Sequence, residues 1–172
     1  EVGQALWDEL FSIGKDLNVG HGCPNLIERI ESGLLSLGND MDYNHTPLQC
    51  GLDKYCHLDR DIDSLSIAAL RTQKENGIPS RLVGIIANEM PAQPQSIKLL
   101  IDGEEVGELT SHCLSAKYDA WLGFVILDTA HIDALSSNAK QLTISTDQGD
   151  FSGICAELPF NFDQLNLQTR QA

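Results

Sequence analysis

Positive charge is scarce in this chain. Its 172 residues carry 11 Lys and Arg against 25 Asp and Glu, a formal net charge of -14. Affinity for phosphate backbones depends on cations that displace counterions, so this balance excludes nucleic acid and anionic membrane surfaces as natural partners. Long apolar runs are also missing. Nothing approaches the roughly 20 consecutive apolar residues of a spanning helix, and the start lacks the basic-then-apolar pattern of a secretory signal. A cytoplasmic location is expected. Aromatic residues make up 6% of the chain. Trp121, Phe124, Phe151 and Phe160 fall in or beside strand-like runs, where core packing explains them better than a stacking platform.

The motifs of several chemistries are absent as well. Cys23, Cys50, Cys56, Cys113 and Cys155 are odd in number and irregularly spaced, which suits free thiols better than a disulfide framework. Cys50, Cys56 and His57 lie near one another, but without a C-x-x-C or H-E-x-x-H pattern they do not make a closed metal site. The glycines fit neither standard phosphate-binding spacing, so nucleotide binding is not indicated. Asp59, Asp61 and Asp63 alternate like the start of a calcium loop, yet the glycine and closing glutamate are missing. A capped helix start on an exposed turn accounts for them.

What is present is 42% hydrophobic residues in organised patterns, enough for an ordinary globular core. Val2, Ala5, Leu6, Leu10 and Ile13 recur at helical spacing and predict a one-faced helix that stops near Gly14. A second helix is expected from Asn25, a candidate cap, to Glu31, breaking at Gly33. A third runs from Ser64 to Asn76, capped by Asp63 or Ser64 and closed at Gly77. Beyond Pro79 the pattern changes to strands: Arg81–Ala87, Ser96–Ile101, Glu105–Ser111, Trp121–Leu127, Gln141–Ser145 and Phe151–Leu158. Turn residues such as Asp102-Gly103 and Asp147-Gln148-Gly149 separate them. The reading is α+β, with a helical segment followed by a small antiparallel β-barrel and a boundary near residues 76–80.

Residues alone give no function, but the order of motifs does. Arg29-Ile30-Glu31-Ser32-Gly33, Gly38-Asn39-Asp40-Met41-Asp42 and Thr46-Pro47-Leu48 resemble the glycine-cleavage T-protein (aminomethyltransferase) family. So do Arg81-Leu82-Val83-Gly84, Asp102-Gly103 before Val106-Gly107-Glu108-Leu109-Thr110-Ser111, Ser115, and Glu157-Leu158-Pro159-Phe160. The resemblance covers nearly the whole chain but only the C-terminal half of that family. It implies a mixed α/β folate-binding core ending near residue 77 and a C-terminal β-barrel over residues 78–172. The implied function is part of a tetrahydrofolate-dependent one-carbon transferase. By resemblance, the family's catalytic aspartate and folate-gripping glutamate fall outside these residues, so this chain alone is expected to be inactive and to self-associate through exposed surface.

Departures distinguish the relatives. Aminomethyltransferases carry an arginine four residues before the position of Arg29, where this chain has Asn25, and a neutral amide cannot replace a guanidinium's grip on a carboxylate. The runs Asn25–Gly33, Gly51–Tyr55 and Leu58-Asp59 are nearer to the dimethylsulfoniopropionate demethylase branch. The resemblance therefore implies tetrahydrofolate and a small methyl or aminomethyl donor as partners. Asn25 and Arg29 are the candidate binding residues, with a helix cap and an ion pair to Glu31 or Asp40 as their structural alternatives. The alternatives in function are an aminomethyltransferase, a folate-binding partner of an oxidase, or a non-catalytic interaction module.

Overall fold

The computed structural model describes residues 2–20, 22, 25–91, 93, 94, 96–137 and 140–161. Among the described residues, four α-helices and seven β-strands follow one another: α1 (Val2–Ile13), α2 (Leu26–Glu31), α3 (Ile67–Asn76), β1 (Ser80–Ala87), β2 (Ile97–Ile101), β3 (Glu104–Glu108), β4 (Ser111–Ser115), β5 (Ala120–Asp128), α4 (Thr129–Ser136), β6 (Leu142–Thr146) and β7 (Gly149–Ala156). The strands form one sheet in the order β3-β2-β6-β7-β1-β5-β4. Every pairing in it is antiparallel, and the sheet curls into a half-barrel. The α+β reading with an antiparallel barrel-like sheet holds.

Strand β1 sits near the middle, bonded to β5 on one side and β7 on the other, and it is apolar on both faces. Val83, Ile85 and Ala87 join Leu99, Val125, Leu127, Leu142 and Ile144 in one cluster, which Leu135 of α4 helps to cover. Ile86 faces the opposite way, with Leu122, Phe124, Cys113, Phe160 and Ile30 of α2. Gly84 lies on the same face as Ile86, where the ring of Phe160 crosses it. A Cβ there would lie 2.5 Å from that ring. Phe160 in turn stacks on Phe124 at 6.1 Å with an interplanar angle of 8°, inside the favourable range for aromatic pairs. Trp121 and Phe151 are only partly buried, packing against the first cluster.

Three features depart from the sequence expectation. The run Glu105–Ser111 is the end of β3, a connection at Leu109-Thr110, and the first residue of β4. Strand β4 escaped notice because its inward residues are Ser111, Cys113 and Ser115, small side chains that give no hydrophobic alternation. Helix α4 is not anticipated in the sequence, because over its eight residues it carries only a short apolar stripe. The expected capped turn before α3 differs too: the helix begins at Ile67 after Ser66, with no side-chain cap bond, and residues 59–66 are an exposed loop. The Asp102-Gly103 turn is as read. Both residues have positive φ, 54° and 83°, which matches the twist of a two-residue hairpin between β2 and β3.

Helix α1 is the one-faced helix its spacing predicts, but none of its residues is buried. Cys50, Cys56, Cys113 and Cys155 are free; Cys23 lies outside the described residues. Among the described residues no helix is long and apolar enough to cross a membrane.

Candidate functional site

Helix α2 is the element that joins the N-terminal segment to the sheet, and both candidate binding residues stand on it. Asn25 is its N-cap. Its backbone is extended, and its side-chain oxygen accepts from the Glu28 N–H at 2.8 Å. Arg29 is more deeply engaged. Its Nη1 donates to the Leu34 carbonyl at 3.0 Å and to Asp40 Oδ2 at 2.5 Å, and its Nη2 donates to Ser111 Oγ at 2.7 Å. Of the two anticipated counter-ions, Asp40 is the one that pairs with it.

Asp40 is 1% exposed, and a carboxylate so placed needs donors on both oxygens. It has them. Oδ2 also accepts from the Ser36 N–H at 2.8 Å, and Oδ1 accepts from the Thr110 hydroxyl at 2.8 Å. Burial alone would raise its pKa. Hydrogen bonds from Ser111, Ser36, Thr110 and Arg29 outweigh that effect and leave the carboxyl below its ordinary value.

The far end of α2 is tied down in the same manner. Glu31 accepts from Ser115 Oγ at 2.5 Å, and the same oxygen accepts from the Tyr118 N–H at 3.1 Å. The Tyr118 hydroxyl donates to the Phe160 carbonyl at 3.1 Å. Gly33 closes the helix at φ 69°, where an added Cβ would also come within 3.3 Å of Pro159. Arg29 and Glu31 thus reach Ser111 and Ser115, which point to the same side of β4 because side chains two and four residues apart share a face. Ser36, Thr110, Ser111 and Ser115 were not singled out as site residues. The only signal for them was their presence within or beside the motifs that carry the family resemblance.

Two concavities stand out among the described residues, of which the first borders this junction. One of about 180 Å³ is polar, with Asn39, Asp40, Asp42, His45, Glu108 and Thr110 in its wall. Asp42 lies 2.9 Å from His45 Nδ1. The other, of about 500 Å³, is apolar and lies beside α1, lined by Trp7, Leu10, Phe11, Ile13, Gly14 and Val19. Among the described residues, no group of three or more His, Cys, Asp or Glu is arranged to hold a metal ion.

No family model matches the chain. The α+β arrangement is nevertheless shared with a solved structure, that of the glycine cleavage system aminomethyltransferase T from Bartonella henselae. The two agree with a TM-score of 0.57 over 78% of this chain and 37% of the other, at 17% identity. Among curated proteins, the chain is 43% identical over 133 residues to the dimethylsulfoniopropionate demethylase DmdA of Ruegeria pomeroyi, covering 76% of this chain and 36% of that protein. It is 35% identical to the aminomethyltransferase of a Nostoc species over 67% of this chain and 30% of the relative. With the aminomethyltransferase of Lysinibacillus sphaericus the identity is 29% over 91% of this chain and 42% of the relative. These likenesses fall in one class of protein, the aminomethyltransferases and a demethylase, and the solved aminomethyltransferase shares the curled antiparallel sheet in its C-terminal region. Within it, the chain resembles the C-terminal part of the glycine-cleavage T-protein family and stands nearer to the demethylase than to the aminomethyltransferases compared with it. It spans about a third of the length of the curated relatives it matches.

Proposed function

We propose that this chain is the C-terminal portion of a tetrahydrofolate-dependent methyltransferase acting on a sulfonium donor, with residues 1–77 ending the folate-binding core and residues 78–172 forming the C-terminal domain. The observation that carries the reading is the 43% identity to a dimethylsulfoniopropionate demethylase, higher than the identities to the aminomethyltransferases compared, which reach 36%. Asn25 supports it, since it stands where aminomethyltransferases carry a substrate-holding arginine.

The chemistry asks little of side chains. Attack by folate N5 on the sulfonium methyl carbon breaks the C–S bond, the bonding pair returns to sulfur as a neutral thioether, and N5 loses its proton. Alignment and exclusion of water can supply much of the rate. Within this chain, Asn25 and Arg29 are the residues proposed to meet donor or folate, and α2 is fixed well enough to present them. The fit to folate rests on a cationic group, Arg29, suited to a glutamate carboxylate. The catalytic and folate-gripping acids of the family would come from the part of the relatives that this chain does not match.

The test is an assay for methyl transfer from dimethylsulfoniopropionate to tetrahydrofolate. The chain is assayed alone and after being joined to the unmatched N-terminal portion of the Ruegeria pomeroyi demethylase. Turnover is expected in the joined protein only. A joined, folded protein that instead transfers an aminomethyl group, or that binds no tetrahydrofolate, refutes the proposal.

A further inference from the structure

Helix α1 carries an apolar stripe with no core beneath it. Val2, Leu6, Leu10 and Ile13 recur at spacings of three and four and so share one side of the helix, yet they are 84%, 59%, 55% and 69% exposed. Among the described residues, none of α1 belongs to either core cluster of the sheet. Gln4, Asp8 and Ser12 take the opposite side, where the Gln4 amide donates to Asp8 at 2.8 Å. Beside the stripe lies the apolar groove of about 500 Å³, where Leu10 and Ile13 meet Gly14 and Val19. A surface helix normally turns such a stripe toward a core, and isolated helices shorter than about 12 to 15 residues are marginal in water. At 12 residues with none buried, α1 needs a cover.

Two covers are available: a second copy of the chain, and the portion of the relatives that the chain does not match. Area and charge decide between them. A helix of this length is about 18 Å long and 10 Å across, so two copies paired along α1 would hide on the order of 300 Å² each, against about 800 Å² per partner in a stable complex. Each copy also carries a net charge of -14, which sets separate copies against one another. Two copies therefore meet only weakly. A covalently attached portion needs less area, because attachment supplies an effective concentration in the millimolar range. The match takes in 36% of the demethylase, so most of that protein lies outside it, enough for a body of domain size.

We propose that the stripe of Val2, Leu6, Leu10 and Ile13, with the groove beside it, is the seat of that unmatched portion, an intramolecular interface of aliphatic and aromatic side chains that completes the folate-binding core over α1. The inference rests on the functional reading above and deepens it by naming the surface through which the two parts join.

Amide hydrogen exchange compares α1 in the 172-residue chain and in the joined protein. Exchange along α1 is expected to be fast in the chain and at least about a hundredfold slower in the joined protein, because a covered helix opens far less often. Leu6→Asp is expected to leave the melting temperature of the chain within about a degree, as a surface change does, and to lower that of the joined protein by several degrees. Leu10→Ala, a milder truncation, should act in the same direction, while Ser12→Asp on the opposite side should be silent in both.

Free exchange at α1 in a folded joined protein overturns the proposal, as does an equal effect of Leu6→Asp in both proteins. A stable dimer of the 172-residue chain that Leu6→Asp dissolves also overturns it, by giving the face to a second copy. Methyl transfer by a joined protein whose α1 still exchanges freely leaves the proposed function standing and removes only this inference. Protection of α1 in a joined protein that transfers an aminomethyl group instead upholds the interface and removes the sulfonium donor.

Discussion

Replacing Asp40 by Asn changes almost no volume and removes one charge, which isolates the electrostatic contribution of the most buried acid in the structure. Asp40 is 1% exposed and accepts from Arg29, Ser36 and Thr110. The amide supplies one acceptor oxygen where the carboxylate had two. Its NH2 group then faces either the Thr110 hydroxyl or the Ser36 N–H and Arg29 donors. The hydroxyl can rotate to accept from it, so the asparagine oxygen settles toward Ser36 and Arg29, and the main loss is the counter-charge. Breaking a buried pair by removing one partner costs about 3 to 5 kcal/mol. Because Arg29 keeps some contact with water, the lower end applies, about 3 kcal/mol, which for a chain of this size is roughly 6 to 12 °C in melting temperature.

Acid titration supplies an independent check with a fixed sign. The Asp40 pKa is lowered on folding, so its contribution is fully present above the ordinary carboxylate pKa and is lost as pH falls through the depressed folded value. Urea unfolding at neutral pH should show the full difference between wild type and Asp40→Asn, and the two curves should converge in strong acid. Adding Arg29→Met to Asp40→Asn should recover part of the loss, since no unpaired charge then remains. A destabilisation under about 0.5 kcal/mol at neutral pH, the size of an ordinary surface change, would refute the argument that Asp40 and Arg29 hold the helical segment to the sheet.

Other changes probe separate parts of the structure. Gly84→Ala places a methyl 2.5 Å from the Phe160 ring, and overpacking of this kind should lower stability by about 1 to 3 kcal/mol in urea titration; an unchanged midpoint would show that Phe160 is not seated there. Burial raises the Cys113 and Cys155 thiols to about 11, with Glu31 raising Cys113 further against an opposing effect of Arg29. At pH 8 only roughly one in a thousand of such thiols is ionised, so both should resist a disulfide reagent until denaturant is added, and rapid labelling in the native protein would contradict their placement. Asn25→Ala should lower stability by about 1 kcal/mol through loss of the cap bond. In the joined protein it should also weaken ligand affinity, and an unchanged affinity with a lowered melting temperature would leave Asn25 as a cap alone.

How much of this was legible in the sequence depends on the kind of contact involved. Helix α1, the Asn25 cap, the Asp102-Gly103 hairpin and the apolar strands were readable because each is encoded by neighbours within a few residues, through periodicity or a turn that needs positive φ. The placement of Phe124 and Phe160 in the core was readable from size and hydrophobicity. The attachment of α2 to β4 was not. Arg29 meets Ser111 across 82 residues, Asp40 meets Thr110 across 70, and Glu31 meets Ser115 across 84. Their serines and threonine look like surface or turn residues in any local window. Strand β4 is hard to see for the same reason, since the face it buries is small and polar to receive those very partners.

A pattern method built on burial of large apolar groups is therefore blind at the position where the two parts of the chain join. Motif order is not blind to it. The segments Arg29–Gly33, Gly38–Asp42 and Val106–Ser111, quoted for their resemblance alone, contain both ends of the Arg29–Asp40–Thr110–Ser111 network. A polar network whose members must all be satisfied tolerates fewer substitutions than an apolar contact of equal area, because each lost partner leaves a buried donor or charge behind. That constraint gives a physical reason for a family likeness to gather in these segments: a helix bound to a small-residue strand by charge and hydroxyl groups can be conserved only by keeping those groups themselves.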